Sequence, residues 1–139
     1  MSDRLLPVSV VVLTKNSGKT LGECLRRIRS NNPSEIIVVD GLSTDDTLKI
    51  AWKAATIIAS DQGRGKAFAR QLGLDQSTQP LIAYVDSDVF IPPGALGKMI
   101  KEISTSRAAA VSCLGILDDS KEVCQTRIPR NPFLEDLPL

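Results

Sequence analysis

The sequence predicts an α/β fold, a three-layer α/β/α sandwich on a mostly parallel sheet, and three observations support it. Five short apolar runs rich in β-branched residues recur along the chain, and four segments with helical period alternate with them. Continuous apolar runs, as opposed to in-and-out alternation, belong to strands covered on both faces, as in parallel sheets. Strict alternation of strand and helix implies right-handed crossovers that place helices over the sheet. The third observation concerns the strand ends. Polar residues close four of the runs, and in such sheets ligands bind outside the carboxyl ends of the strands.

The first run, residues 8–14, is Val-Ser-Val-Val-Val-Leu-Thr, followed by a polar stretch over residues 14–20. The wider stretch of residues 5–13 has the apolar character of a signal-peptide core, but no small-x-small cleavage site follows, so it reads as a strand. Leu21, Cys24, Leu25 and Ile28 then form one stripe of a first helix. Residues 35–40, Glu-Ile-Ile-Val-Val-Asp, form the second strand. Ser43 with Asp46 three residues on resembles a capping box and marks the start of a second helix, whose stripe is Leu48, Ala51, Trp52 and Ala55. Residues 56–60 are a third strand, and Phe68, Ala69 and Leu72 mark a third helix. A fourth strand is expected over residues 81–86, a helix carrying Leu96, Met99, Ile100 and Ile103 after it, and a fifth strand over residues 108–113. From about Asp118 the alternation stops, and Pro129, Pro132 and Pro138 interrupt a stretch without period. The expected organisation is one domain over residues 1–117 and an irregular tail over residues 118–139.

The 139 residues suit one domain, which at this size buries roughly 68–70% of its unfolded surface. With 42% hydrophobic and 24% charged residues and a net charge of +1, the chain reads as an ordinary soluble protein. It has none of the basic striping of a nucleic-acid binder. No stretch reaches the 18 or more apolar residues of a membrane span, so any membrane contact is expected to be peripheral or through a partner. Cys24, Cys113 and Cys124 are odd in number and far apart, and there is no histidine. That pattern excludes a zinc set, and Cys24 and Cys113 read as reduced core residues of a cytoplasmic chain.

Residues 81–90 read Leu-Ile-Ala-Tyr-Val-Asp-Ser-Asp-Val-Phe, an apolar strand that delivers Asp86 and Asp88 to its carboxyl end. Two carboxylates about 4 Å apart repel by roughly 4 kcal/mol at an effective dielectric near 20. A divalent cation between them turns that repulsion into attraction. Hard oxygen ligands without thiolate or imidazole favour Mg2+ or Mn2+, ions that keep coordination positions open for substrate phosphates. The same rim carries Thr14, Lys15, Asn16, Asp40, Ser60 and Asp61.

Two other motifs do not hold up. Gly18-Lys19-Thr20 ends like a phosphate-binding P-loop, but the required first glycine position is Leu13, inside the strand. Gly63-Arg64-Gly65 starts like a dinucleotide fingerprint, but its third glycine position is Phe68.

Four pieces stand in order: residues 8–16 (Val-Ser-Val-Val-Val-Leu-Thr-Lys-Asn), residues 37–47 (Ile-Val-Val-Asp-Gly-Leu-Ser-Thr-Asp-Asp-Thr), residues 65–73 (Gly-Lys-Ala-Phe-Ala-Arg-Gln-Leu-Gly) and residues 82–88 (Ile-Ala-Tyr-Val-Asp-Ser-Asp). In order and spacing they resemble the nucleotide-binding half of inverting GT-A-type nucleotide-sugar glycosyltransferases, the family 2-like group. The third piece is also locally similar to dolichyl-phosphate-sugar synthases. The resemblance implies a metal-dependent transfer from a UDP- or GDP-linked sugar. It implies that Thr14, Lys15 and Asn16 line the base pocket, that Asp40 binds base or ribose, and that Asp86 holds ribose or assists the metal. Asp88 would then bind the cation, with Arg64 and Lys66 assisting at the diphosphate.

The chain departs from the family in having Gly41-Leu42 before Ser-Thr-Asp, and in lacking the longer acceptor half. A fold truncated in this way is expected to expose apolar surface and to pair with another copy or a completing subunit. The general base that an inverting transfer needs is unassigned. Glu135 and Asp136 are the only carboxylates on offer in the last dozen residues. The resemblance leaves room for a peripheral membrane or lipid-linked acceptor at the inner face of a membrane. The competing readings are a nucleotide-binding module without activity of its own and a nucleotidyltransferase. Of the two, the nucleotidyltransferase usually carries a glycine-rich basic loop after the first strand, which residues 13–19 (Leu-Thr-Lys-Asn-Ser-Gly-Lys) fit only loosely.

Overall fold

The computed structural model describes residues 4–114 and 125–127, where helix and strand alternate. Strands β1 (Leu6–Thr14), β2 (Pro33–Asp40), β3 (Ile57–Ser60) and β4 (Leu81–Asp86) form one sheet in the order β3-β2-β1-β4, and every pairing is parallel. Helices α1 (Leu21–Arg29), α2 (Thr47–Ala51) and α3 (Lys66–Gln76) make the crossovers. The chain divides into two compact units, Met1–Pro93 and Gly94–Leu139, and the four-stranded sheet lies in the first.

This topology fixes where a ligand can sit. The first two crossovers step from β1 to β2 and on to β3, while the third returns across the sheet to β4. Under the right-handed rule α1 and α2 cover one face and α3 the other. The crevice where the order reverses opens between the carboxyl ends of β1 and β4. Thr14, which ends β1, and Asp86, which ends β4, flank it.

Both faces of the central strands are buried, which is why their sequences run apolar without alternation. Val10, Val11 and Val12 of β1 and Ile37 and Val38 of β2 are wholly buried. Val11, Ile37 and Val39 form a cluster with Ala69 of α3, and Leu13, Ile57, Leu72 and Ile82 pack around it. The α1 stripe is buried as expected, at Leu21, Cys24, Leu25 and Ile28.

The second helix is shorter than its stripe predicts. The amides of Ala54 and Ala55 both donate to the Ala51 carbonyl and close the helix into a turn. Trp52 is therefore 75% exposed, although it was expected on the buried stripe. The expected Ser43–Asp46 capping box does not form, since Asp46 makes no side-chain cap and the Ser43 hydroxyl bonds to Asp40. Asp45 fills that place, its carboxylate accepting the Thr47 amide at 3.0 Å.

In the second unit α4 (Ala95–Ser106) follows Gly94, with φ of 79°, and ends at Arg107 in the left-handed region. The fifth strand is a separate feature and not a continuation of the parallel sheet. β5 (Ser112–Leu114) pairs antiparallel with β6 (Gln125–Arg127), the latter inside the stretch expected to be irregular. The left-handed turn at Arg107 delays strand formation past the Ala-rich start of the expected run. Cys124, Glu135 and Asp136 lie outside the described residues, as does the side chain of Cys113.

Candidate functional site

The loops after β1 and β2 are knitted together mainly by side chain to backbone hydrogen bonds. Asp40 is 2% exposed, and a buried carboxylate needs donors. Ser43 supplies both, its amide at 2.9 Å and its hydroxyl at 2.6 Å. The Ser43 hydroxyl oxygen in turn accepts the Asn16 amide at 2.8 Å, and the Asn16 side-chain oxygen accepts the Thr44 amide at 2.8 Å. Asn16 adopts φ of 48° to make this connection, a left-handed conformation that asparagine tolerates. Next along, the Ser17 amide donates to the Thr47 hydroxyl at 2.8 Å and the Gly18 amide to Asp45 Oδ2 at 3.0 Å. Hydrogen bonds from the Thr47 hydroxyl and amide hold the Asp45 carboxyl below its ordinary range. A Cβ at Gly18 would stand 2.8 Å from Asp45 Oδ2, so the glycine permits this approach.

A cavity of about 750 Å³ opens beside this loop pair, lined by Thr14, Lys15, Asn16, Ser17, Lys66, Asp86, Ser87 and Asp88 among others. Asp86 and Asp88 are exposed, and among the described residues neither carboxylate receives a hydrogen bond or ion pair. The turn that carries them is fixed from three sides. The Val89 amide bonds to the Asp86 carbonyl at 3.0 Å, the Cys24 thiol approaches that carbonyl at 3.5 Å, and the Ser87 and Ser17 hydroxyls meet at 2.8 Å. Burial pushes the Cys24 thiol up to about 12, with the negative charges of Asp88 and Asp86 adding to the effect. Cys24 is thus a neutral core residue.

The same cavity is lined by the amino end of α3, whose first residue is Lys66. The Ala69 amide is bonded to the Gly65 carbonyl, so the three amides before it have no acceptor within the helix and carry the positive end of its dipole. An acidic pair therefore shares the cavity with a lysine and a helix amino terminus. The two carboxylates supply hard oxygen ligands, and among the described residues no cluster of three or more metal-ligating side chains occurs. That set fits an ion completed by water and ligand phosphates.

The cavity gathers Thr14, Lys15, Asn16, Lys66, Asp86 and Asp88, and leaves out two residues expected at the nucleotide. Asp40 lines a neighbouring groove of about 440 Å³ with Leu42, Ser43 and Ile58, because its oxygens are turned toward Ser43. Arg64 lines neither space, its guanidinium lying 3.8 Å from the centre of the Phe68 ring, a cation–π contact. Conversely Asp61, only 6% exposed, lines the large cavity. Its signal in the sequence was its place at the end of an apolar run.

The sequence matches the Glycosyl transferase family 2 profile over residues 9–134. It is 28% identical to the succinoglycan biosynthesis protein ExoU of Rhizobium meliloti (strain 1021) over 102 residues, covering 68% of this chain and 30% of that protein. It is 31% identical to the glycosyltransferase AglE of Haloferax volcanii over 98 residues, covering 63% of this chain and 32% of that one. The chain thus spans about a third of the length of these relatives. The fold is similar to the crystal structure of S. aureus TarS 1-349, with a TM-score of 0.65 and 27% identity over 86% of this chain and 39% of that one. It also matches glucosyl-3-phosphoglycerate synthase from Mycobacterium tuberculosis in complex with Mn2+, UDP and glucosyl-3-phosphoglycerate, with a TM-score of 0.62 and 24% identity over 70% of this chain and 39% of that one. No helix among the described residues is long and apolar enough to cross a membrane. With the family profile covering most of the chain and the parallel sheet matching solved glycosyltransferases, the chain belongs to glycosyl transferase family 2 and carries the nucleotide-binding region of its GT-A-type fold.

Proposed function

We propose that the chain binds a nucleoside-diphosphate sugar, UDP- or GDP-linked, with a divalent cation and acts in transfer of the sugar to an acceptor hydroxyl. The observation that carries this reading is the pair Asp86 and Asp88, without side-chain partners among the described residues, in a cavity that also holds Lys15, Lys66 and the amino end of α3. Mn2+ and UDP occur together in the mycobacterial synthase. Mg2+ or Mn2+ is the ion class that two carboxylates and a diphosphate would hold. When bound, the ion stabilises as a Lewis acid the charge that grows on the leaving diphosphate.

The chain's own groups do the rest. Lys66 and the α3 amides attract the diphosphate, Thr14 and Lys15 line the crevice beside the nucleoside, and the fixed Asp86–Asp88 turn sets the position of the cation. Transfer breaks the bond between the anomeric carbon and the diphosphate oxygen and forms one to the acceptor oxygen. The acceptor's proton goes to a carboxylate base.

Isothermal titration of the chain with UDP and GDP, with and without Mn2+, tests the reading. Metal-dependent binding that disappears in Asp88→Ala is the expected result. Absence of binding to either nucleotide, or binding indifferent to Asp88, would overturn it.

A further inference from the structure

Asp61 is the one buried acid in the cavity whose carboxylate is left half used. It is only 6% exposed and lines the cavity with Thr14, Lys15 and Gly41. Its Oδ1 accepts the Gly63 amide at 2.8 Å. Among the described residues its Oδ2 accepts nothing, and that oxygen is not sealed off from the cavity, so it is free to take a donor from a ligand there. Space is kept beside that oxygen, since a Cβ at Gly41 would stand 3.5 Å from Oδ2 and 3.4 Å from the Thr14 carbonyl oxygen.

We infer that Asp61 reads the nucleobase of the donor, its Oδ2 accepting the ring N–H of a lactam base, uracil or guanine. The inference rests on the nucleotide-sugar reading above and adds a residue to it. Position favours base over ribose. β3, which ends beside Asp61, and β4, which presents Asp86 and Asp88, are the outer strands of the sheet. Three strand spacings separate them, roughly 14 Å. With the diphosphate at the β4 acids, the ribose falls opposite β1 and β2 and the base reaches β3. Asp40 is not free for this role, because Ser43 holds both of its oxygens and it lines the other groove.

The isosteric change Asp61→Asn separates the roles of the two oxygens. The Gly63 amide still needs an acceptor, so the carboxamide oxygen stays there and the turn survives. The NH2 group then replaces Oδ2 and offers a donor where an acceptor stood. A ring N–H is rejected by that donor, whereas the unprotonated N3 of cytosine accepts it. Binding of UDP, GDP and CDP with Mn2+ is measured for the wild-type chain, Asp61→Asn and Asp88→Ala, along with 3-methyl-UDP and 1-methyl-GDP on the wild type.

The expected wild-type preference for UDP or GDP over CDP is about tenfold or more, lost on ring methylation, and it inverts in Asp61→Asn. The uracil and guanine arms identify which lactam base is read. Asp88-dependent binding that ignores ring methylation, or a folded Asp61→Asn variant with unchanged preference, would overturn the role of Asp61 and leave the nucleotide-sugar reading standing. If the wild type binds none of the diphosphates, both readings fall. Should Asp61→Asn not fold, the methylated nucleotides on the wild-type chain decide the matter.

Discussion

Gly73→Ala is a change that helix propensity and packing predict in opposite directions. Gly73 is buried within α3, and a Cβ added there would lie 2.3 Å from Val11 Cγ1, 3.1 Å from Cγ2 and 3.3 Å from Cβ. Alanine in a helix interior is favoured over glycine by about 1 kcal/mol. Against this, overpacking a filled core is unfavourable by about 1–3 kcal/mol. Val11 is fully buried on a central strand paired on both sides, and its β-branched side chain has one well to sit in, so little can yield. An approach of 2.3 Å puts the clash at the upper end of that range, so the net expectation is a loss of about 2 kcal/mol, which for a chain of this size is a fall in Tm of about 5–8 °C. Urea and thermal melts of Gly73→Ala, Val11→Ala and the double variant measure it. Val11→Ala alone loses about 2 kcal/mol of buried methyl surface, yet in the double variant it makes room for the new methyl. The two losses therefore fall short of additive by about 1 kcal/mol or more. A Gly73→Ala chain as stable as wild type or more so, or strict additivity, would refute the close approach of α3 to β1. The result also bears on function, because α3 begins with Lys66 and a helix pushed off the sheet carries that lysine with it.

Three further outcomes are expected. Ser43→Ala leaves Asp40 Oδ1 and the Asn16 amide without their shared partner, and a fall in stability of about 1–3 kcal/mol in urea melts is anticipated. Lys66→Ala should weaken UDP or GDP binding about two- to tenfold and lessen its dependence on salt, as titration at two ionic strengths would reveal. Glu35 accepts hydrogen bonds from Ser9 and Thr78 that hold its carboxyl below the ordinary value of 4.5. A lowered folded pKa means stabilisation that is present above 4.5 and drains away as the pH falls through the folded value. Glu35→Gln should therefore be less stable at neutral pH and show a shallower loss of Tm on acidification. Parallel Tm curves for the two chains would exclude that role.

How far the sequence was legible follows from how local each determinant is. The strands were readable because burial on both faces leaves an unbroken apolar run, as in residues 8–14 and 35–40. Asp86 and Asp88 were readable because parallel pairing sends every strand end to one rim, and Lys66 because it opens the helix that follows β3. The end of α2 was not, since the stripe at Ala51 and Trp52 continues in sequence while the turn at Ala54 and Ala55 stops the helix. Nor was the choice made by Ser43, whose hydroxyl could serve a helix amino terminus or a carboxylate. Asp40 is buried and needs donors, whereas Asp45 already serves α2, so the carboxylate wins. Arg64 reads as a phosphate ligand until Phe68, four residues on, offers its ring. β6 is three residues long, too short for any period to show. Asp61 was visible as a strand-end acid, but its burial and its single accepted hydrogen bond are tertiary facts.

The distribution of satisfied and unsatisfied groups gives the cavity its chemical direction. Around Asn16, Ser17 and Gly18 each amide has a side-chain acceptor, so these loops hold their shape without a ligand. Among the described residues, groups left open lie elsewhere in the same cavity: two carboxylates at the end of β4, one carboxylate oxygen at Asp61, and the amino terminus of α3 with Lys66. These open acceptors and positive groups of one cavity do not neutralise one another, because among the described residues no ion pair joins Lys15 or Lys66 to Asp86 or Asp88. Had the site been only a solvated polar end of the sheet, such pairs would relieve the repulsion between the two acids. Left apart, they leave room for a cation against the acids and an anion against the helix. On the proposed reading a metal–diphosphate would carry its charges in that order, and the base at its far end would come within reach of Asp61.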